Sequence, residues 1–199
     1  MTPVRSARRP SPRLESVLDG LIDLFLAEGF LEFTIEDLAV RLHCSKSTLY
    51  AIASSKEQLI VAVVRALFRR ATERVERRVA DEDDPARRIS TYLRAISDEL
   101  SPGTSRFFGD VEAFAPAREL YSQNTAIAAR RVQDLVHDAV PPGRRVNAQF
   151  IGAVAAQVME SINRGEMAAL TSLDDSASYR ALADLILSGV LGPDDSVWR

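Results

Sequence analysis

The chain reads as an all-α protein with an N-terminal three-helix helix-turn-helix domain followed by a larger helical domain. Three observations predict this. Apolar residues recur at i, i+3, i+4, i+7 in almost every segment, and no stretch alternates with period two. Residues 34–58 place capping residues at offsets that start three helices in quick succession. The clusters Ser101-Pro102-Gly103 and Pro141-Pro142-Gly143 punctuate the remainder as turns.

Residues 1–13 carry Arg5, Arg8, Arg9 and Arg13 with no acid, interleaved with Pro3, Pro10 and Pro12. Such a segment builds no core. It reads as a flexible basic arm, which either tracks phosphates beside a DNA contact or is a solvated tail. The first helix starts at Ser11 or Pro12 and ends at Glu28, with Leu14, Val17, Leu18, Leu21 and Phe25 on one face and Gly29 as its stop. Next, Ile35, Leu38, Ala39 and Leu42 form the apolar stripe of a two-turn helix, and Thr34 with Asp37 three residues later forms a capping box. His43-Cys44-Ser45 breaks the period, and Ser45 caps a third helix in which Leu49 and Ile52 point inward. Lys46, Ser47, Thr48 and Tyr50 point out, the small, polar and basic set that suits a helix entering a major groove. Ser54 or Ser55 then caps a fourth helix, with Gln58 completing a second box and Lys56 in the first turn, where a phosphate oxygen is well received.

These residues carry a resemblance. Thr34-Ile-x-Asp-Leu-Ala-x-x-Leu, Ser45-Lys-x-Thr-Leu-Tyr50 and Ser55-Lys-Glu-x-Leu, preceded by a helix ending Glu28-Gly-Phe30, resemble the N-terminal domain of TetR-type transcriptional regulators over about residues 14–64. The resemblance implies a homodimeric, all-helical repressor whose C-terminal domain binds a small effector and thereby releases double-stranded operator DNA. Carried onto this chain, it gives Thr34, Ser45, Lys46, Ser47, Thr48, Tyr50 and Lys56 as the expected DNA-binding residues. It divides the chain into the arm (1–13), a DNA-binding domain (14–58, its helix-turn-helix at about 34–53) and an effector-binding and dimerisation domain (59–199). The chain departs from the family pattern in having His43 and Ser47 where glycines are usual, and Ile52 and Ala53 where an aromatic or histidine and then phenylalanine are common. These last two motivate an alternative, a helical ligand-binding or interaction protein of the same fold with weakened sequence-specific DNA binding.

Beyond Lys56, apolar spacing predicts a helix to about Ala80, closed by the acidic run 81–84, and Pro85 opens the next, which continues to Leu100. A short element around Phe107, a break at Pro116, a helix to Val140 and two final helices near 146–170 and 176–190 complete the expected order. Tyr92, Phe107, Phe108, Phe114 and Tyr121, with Met159, are the candidate lining of an apolar effector cavity. Arg106, Asp110, Glu112, Gln157 and Asn163 are its candidate polar neighbours, although aromatics at helical spacing also describe a plain core. The last two helices carry small residues that allow close helix approach. Gly152, Ala155, Ala156 and Met159 on one, and Leu182, Leu185, Ile186 and Gly189 on the other, are the expected dimer interface, the alternative being closure of the monomer's own core.

Composition narrows the class. The 199 residues are 46% hydrophobic, ample for a packed core, and no apolar run approaches the roughly 20 residues of a membrane span. The net charge of −3 hides an asymmetry, since residues 1–79 hold 13 Lys+Arg against 10 Asp+Glu and residues 80–199 hold 12 against 18. The basic half contains the helix-turn-helix. An Arg- and Pro-rich start without an apolar stretch, together with the single cysteine, predicts a cytoplasmic protein. Only His43 and His137 are present, with no metal-ligand spacing, nucleophile elbow or phosphate-binding glycine loop. Neither catalytic residues, a bound metal nor a cofactor is expected. Cys44 reads either as a small apolar turn residue or as a redox-sensitive thiol at a helix N-terminus.

Overall fold

A computed structural model describes residues 12–192, which form ten helices and no strand. In order these are α1 (Pro12–Glu28), α2 (Ile35–Arg41), α3 (Lys46–Tyr50), α4 (Lys56–Ala80), α5 (Pro85–Leu100), α6 (Ser105–Ala113), α7 (Ala115–Ala139), α8 (Ala148–Asn163), α9 (Glu166–Thr171) and α10 (Asp175–Leu191). Most of the basic arm, residues 1–11, lies outside the described residues, whereas Pro12 and Arg13 open α1.

Local chemistry sets the N-terminal boundaries. Gly29 ends α1 at φ 76°, a backbone that glycine adopts without strain. The Thr34–Asp37 capping box is complete, with Thr34 Oγ1 accepting from the Asp37 amide and the Asp37 carboxylate accepting from the Thr34 amide (2.9 Å). Donation to the carboxylate by the Thr34 hydroxyl (2.7 Å), and then by the Thr34 amide, holds the Asp37 carboxyl below its usual pKa. Ser45 caps α3 and Ser55 caps α4. The second box is only half made, because Gln58 Oε1 accepts from the Ser54 hydroxyl instead of reaching back to the cap.

The hydrophobic residues gather into two cores. The first joins Leu21 and Phe25 of α1, Leu38, Leu49 and the N-terminal half of α4 from Leu59 to Phe68. The second lies among the C-terminal half of α4, α5, α7, α8 and α10, around Val75, Leu93, Val132, Met159 and Leu182. α4 runs through both, so a rigid rod links the two ends of the molecule. α7 packs along α8, and α5 packs between α4 and α10.

Two boundaries differ from expectation. The break expected at Pro116 falls at Phe114, which is extended (ψ 101°); Pro116 sits in the first turn of α7, where its missing N–H leaves no bond unmade. The single helix expected over 146–170 is split, because Gly165 takes φ 71° and turns the chain between α8 and α9. Apolar spacing continues across the turn and concealed it. No helix among the described residues is long and apolar enough to cross a membrane.

Candidate nucleic-acid interface and ligand cavity

α3 is only five residues long, and its stability comes from packing rather than helix propensity. Leu49 is fully buried beneath it, and Cys44, Ile52 and Ala53 pack against the same core. Ile52 and Ala53 therefore do supply packing at the position where the family pattern has an aromatic. The outer surface of α3 is a patch of hydroxyls, with Ser45 Oγ 2.7 Å from Ser47 Oγ and 2.8 Å from Thr48 Oγ1. Tyr50 projects beside them, 50% exposed.

Two expected phosphate ligands are occupied within the chain. Lys46 Nζ pairs with Glu36 at 2.9 Å on the surface. Lys56 Nζ donates to the Leu31 carbonyl at 2.6 Å and is half-buried, so it ties α4 to the α1–α2 turn instead of standing free at a helix start. Thr34 is exposed, with its hydroxyl engaged in the α2 cap. His43 occupies the turn at φ 48°, a left-handed backbone that explains why glycine suits this place. Burial pushes the Cys44 thiol pKa up, against a reactive thiolate.

In the C-terminal half the expected aromatic cluster divides. Tyr92, Tyr121 and Met159 line an inner cavity of about 440 Å³ among α4, α5, α7, α8 and α10. Phe108 and Tyr121 line an outer cavity of about 1070 Å³ bounded by α6, α7, the α8–α9 turn and the start of α10. Phe107 and Phe114 line neither. Phe107 is 0% exposed and meets Phe30 edge-on at 6.2 Å, and Phe114 meets the same ring at 6.4 Å. Both lock α6 to the N-terminal domain, because α6 presents opposite faces to the two domains. Of the polar neighbours, Asn163 borders both cavities and Glu112 the outer one, whereas Gln157 is exposed and borders neither.

Asp110 also has a different place. Its carboxylate accepts from the amides of Phe30 (2.5 Å) and Leu31 (2.9 Å), filling the space beside Gly29 where a Cβ would lie 2.6 Å from Oδ2. Arg106 pairs with Glu32, and the Thr104 amide donates to the Leu26 carbonyl at 3.0 Å. The other face of α6, with Phe108, Gly109 and Glu112, is a wall of the outer cavity. A single short helix thus carries a cavity wall on one side and a grip on the α1–α2 turn on the other.

Sequence reasoning missed two features of the inner cavity. Arg131 grips Glu76 with both ends of its fork, Nε–Oε1 3.0 Å and Nη2–Oε2 2.9 Å. Tyr179 also lines the cavity, and its helical spacing with Leu182, Ala183 and Ile186, which share the second core, gives no local sign of that role.

The expected dimer residues also separate. Gly152 packs against α7, where a Cβ would meet the Ala129 carbonyl at 3.1 Å. Ala155, Met159, Leu182 and Ile186 are buried in the second core. These five close the monomer and are corrected from the outward set. Leu185, 64% exposed, and exposed Gly189 face outward on α10, with half-buried Ala156 and the 65% exposed Phe150 on α8.

Residues 17–63 match the family model described as bacterial regulatory proteins, tetR family. HTH-type transcriptional regulators from two strains of Mycobacterium tuberculosis are 31% identical over 107 residues, which is 52% of this chain and 52% of theirs. The chain thus spans about half the length of these curated relatives. A Saccharomonospora viridis protein described as a transcriptional regulator, solved in complex with choline, superposes with TM-score 0.71 at 16% identity, over 89% of this chain and 96% of that one. AibR, solved with isovaleryl coenzyme A and operator DNA, superposes with TM-score 0.59 at 18% identity, over 91% and 99%. At such identities the two solved structures bear on fold alone. The model match falls on the helix-turn-helix, so residues 17–63 are similar to the N-terminal region of the tetR family, and the all-helical body shares its fold with these solved structures along most of its length.

Proposed function

We propose that this protein is a ligand-responsive repressor that binds a pseudo-palindromic DNA operator as a homodimer in the cytoplasm and releases it when a small molecule enters the C-terminal domain. The observation that carries the reading is the two-faced α6, with its cavity wall on one side and its grip on the α1–α2 turn, through Asp110, on the other. A ligand that prefers one placement of α6 thereby biases the N-terminal domain, by as much as its affinities for the two placements differ. Residues 14–58 supply the DNA surface: Ser45, Ser47, Thr48 and Tyr50 reach the groove, and Lys46 exchanges Glu36 for phosphate. Lys56 serves that surface by holding the turn. Residues 59–199 supply the cavity and the dimer, whose contact is built on the outward faces of α8 and α10 around Phe150, Leu185 and Gly189. Dimerisation is needed because two recognition helices must reach half-sites about 34–36 Å apart. The choline-bound and operator-bound regulators of the same fold support the two ligand classes.

One observation favours the alternative of weakened sequence-specific binding: both lysines of the expected DNA surface are engaged within the chain. Fluorescence anisotropy of the purified protein on the duplex flanking its own gene and on a scrambled duplex, each at two salt concentrations, separates the readings. Preference for the native duplex by about 10³-fold or more is expected. Equal, steeply salt-dependent binding to both would replace the repressor reading by the alternative.

A further inference from the structure

The inner cavity ends at two buried phenols. Tyr179 is 1% exposed and its phenol has the Asn163 side chain beside it, and the Tyr121 hydroxyl, buried as well, finds no hydrogen-bond partner among the described residues. Native interiors rarely leave such a group unmatched, so it marks a place shaped for something else. Tyr121 and Asn163 stand in the wall shared by the two cavities, so this place faces both.

Charge discriminates among possible occupants. Of the acids bordering the inner cavity, Glu76 is matched by Arg131 and Glu99 by Arg74, whereas Asp134 has no ion pair among the described residues. The outer cavity holds more such acids. Arg164 is taken up by Glu166 at 2.8 Å and Glu160 at 4.0 Å, and Arg118 donates to the backbone carbonyl of Glu112 rather than to a carboxylate. Glu112 and Asp175 have no ion pair among the described residues, and both border this cavity. Burial first, and then Tyr179, Asp175 and Glu160, raise the pKa of the Tyr121 phenol, which keeps its proton at neutral pH.

We propose that the effector is an amphipathic organic amine, whose protonated nitrogen lies at Tyr121, Tyr179 and Asp175 and whose apolar body fills the inner cavity against Phe68, Val75 and Met159. Its N–H groups donate to the phenol oxygens, the carboxylate balances its charge, and the tyrosine faces favour a cation. A carboxylate ligand would meet Asp175, Glu160 and Glu112. A neutral alcohol would satisfy a phenol but draw nothing from the acids. The inference rests on the ligand-responsive reading above.

Isothermal titration of the full chain at neutral pH with octylamine, octyltrimethylammonium, octanol and octanoate tests it, because the four share one apolar body. Octylamine is expected to bind about tenfold or more tighter than octanol, with octyltrimethylammonium weaker than octylamine and octanoate not binding. Octanol or octanoate binding as tightly as octylamine overturns the amine while leaving the effector cavity standing. Octyltrimethylammonium matching octylamine overturns the N–H donation. Failure of all four to bind overturns both the amine and the effector reading. Asp175→Asn leaves the Asp174 cap of α10 in place. It is expected to weaken octylamine about tenfold with octanol binding, which reports the fold, unchanged; unchanged octylamine binding overturns the placement of the nitrogen.

Discussion

Replacing Asp110 with asparagine tests whether α6 holds the α1–α2 turn by charge-assisted hydrogen bonds. One carboxylate oxygen accepts from both Phe30 and Leu31 amides. Asparagine can place its amide oxygen in the same spot, so it keeps both bonds and loses only the charge. Hydrogen bonds to charged groups contribute roughly 1.5–3 kcal/mol against about 0.5–1.5 for neutral ones, so Asp110→Asn should destabilise by about 2 kcal/mol. Asp110→Ala leaves two partly buried donors unpaired, at about 1–3 kcal/mol each, and should destabilise by about 2–6 kcal/mol. For a chain of this size a loss of 1 kcal/mol lowers Tm by roughly 2–4 °C. Urea unfolding at fixed protomer concentration should therefore show the midpoint falling in the order wild type, Asn, Ala with the slope unchanged. The neighbouring exposed pair Arg106–Glu32 is the control, since Glu32→Gln should shift stability by about 1 kcal/mol or less. An asparagine variant as stable as wild type, or as unstable as alanine, would refute the charge-assisted grip.

Three further outcomes are expected. Tyr50→Ala or Thr48→Ala should weaken operator binding in an anisotropy titration and leave the melting temperature nearly unchanged, since both side chains contribute to the α3 surface rather than to its core; unaltered binding removes them from the interface. His43→Gly should stabilise the protein by about 1 kcal/mol, because the residue holds φ 48°, and a melt showing no gain would mean that the side chain offsets its own backbone strain. Leu185→Asp should halve the mass seen by light scattering while the helical content stays constant, because Leu185 is exposed on the monomer; a dimer that survives places the interface elsewhere.

The N-terminal domain was legible because its signals are short in range. A cap and the residue it bonds are three apart, as Thr34 with Asp37 and Ser45 with Thr48, and local spacing carries that information. What lay hidden depends on which partner a face finds. Phe107 and Phe108 are adjacent and chemically alike, yet one is sealed against Phe30 and the other borders the outer cavity, a difference set by residues about 80 positions away. Gly152 and Gly189 likewise looked equivalent as small residues at close helix approaches. The first accommodates α7 of its own chain and the second stands open to solvent. Asp110 was noticed as a polar residue near aromatics, but nothing local tells that it caps backbone amides of another helix turn.

The fit of Asp110 beside Gly29 bears on how such proteins can be recombined. Any side chain at position 29 would collide with the carboxylate, and any shortening at 110 would strand two amides, so a change at one position disturbs the other despite their lying 81 residues apart in the chain. A chimaera that exchanges only the first 58 residues with those of a relative would pair a foreign turn with a native α6. Transplants that carry residues 104–114 along with the reading head keep the joint intact, and those that split it should fold with their two halves uncoupled.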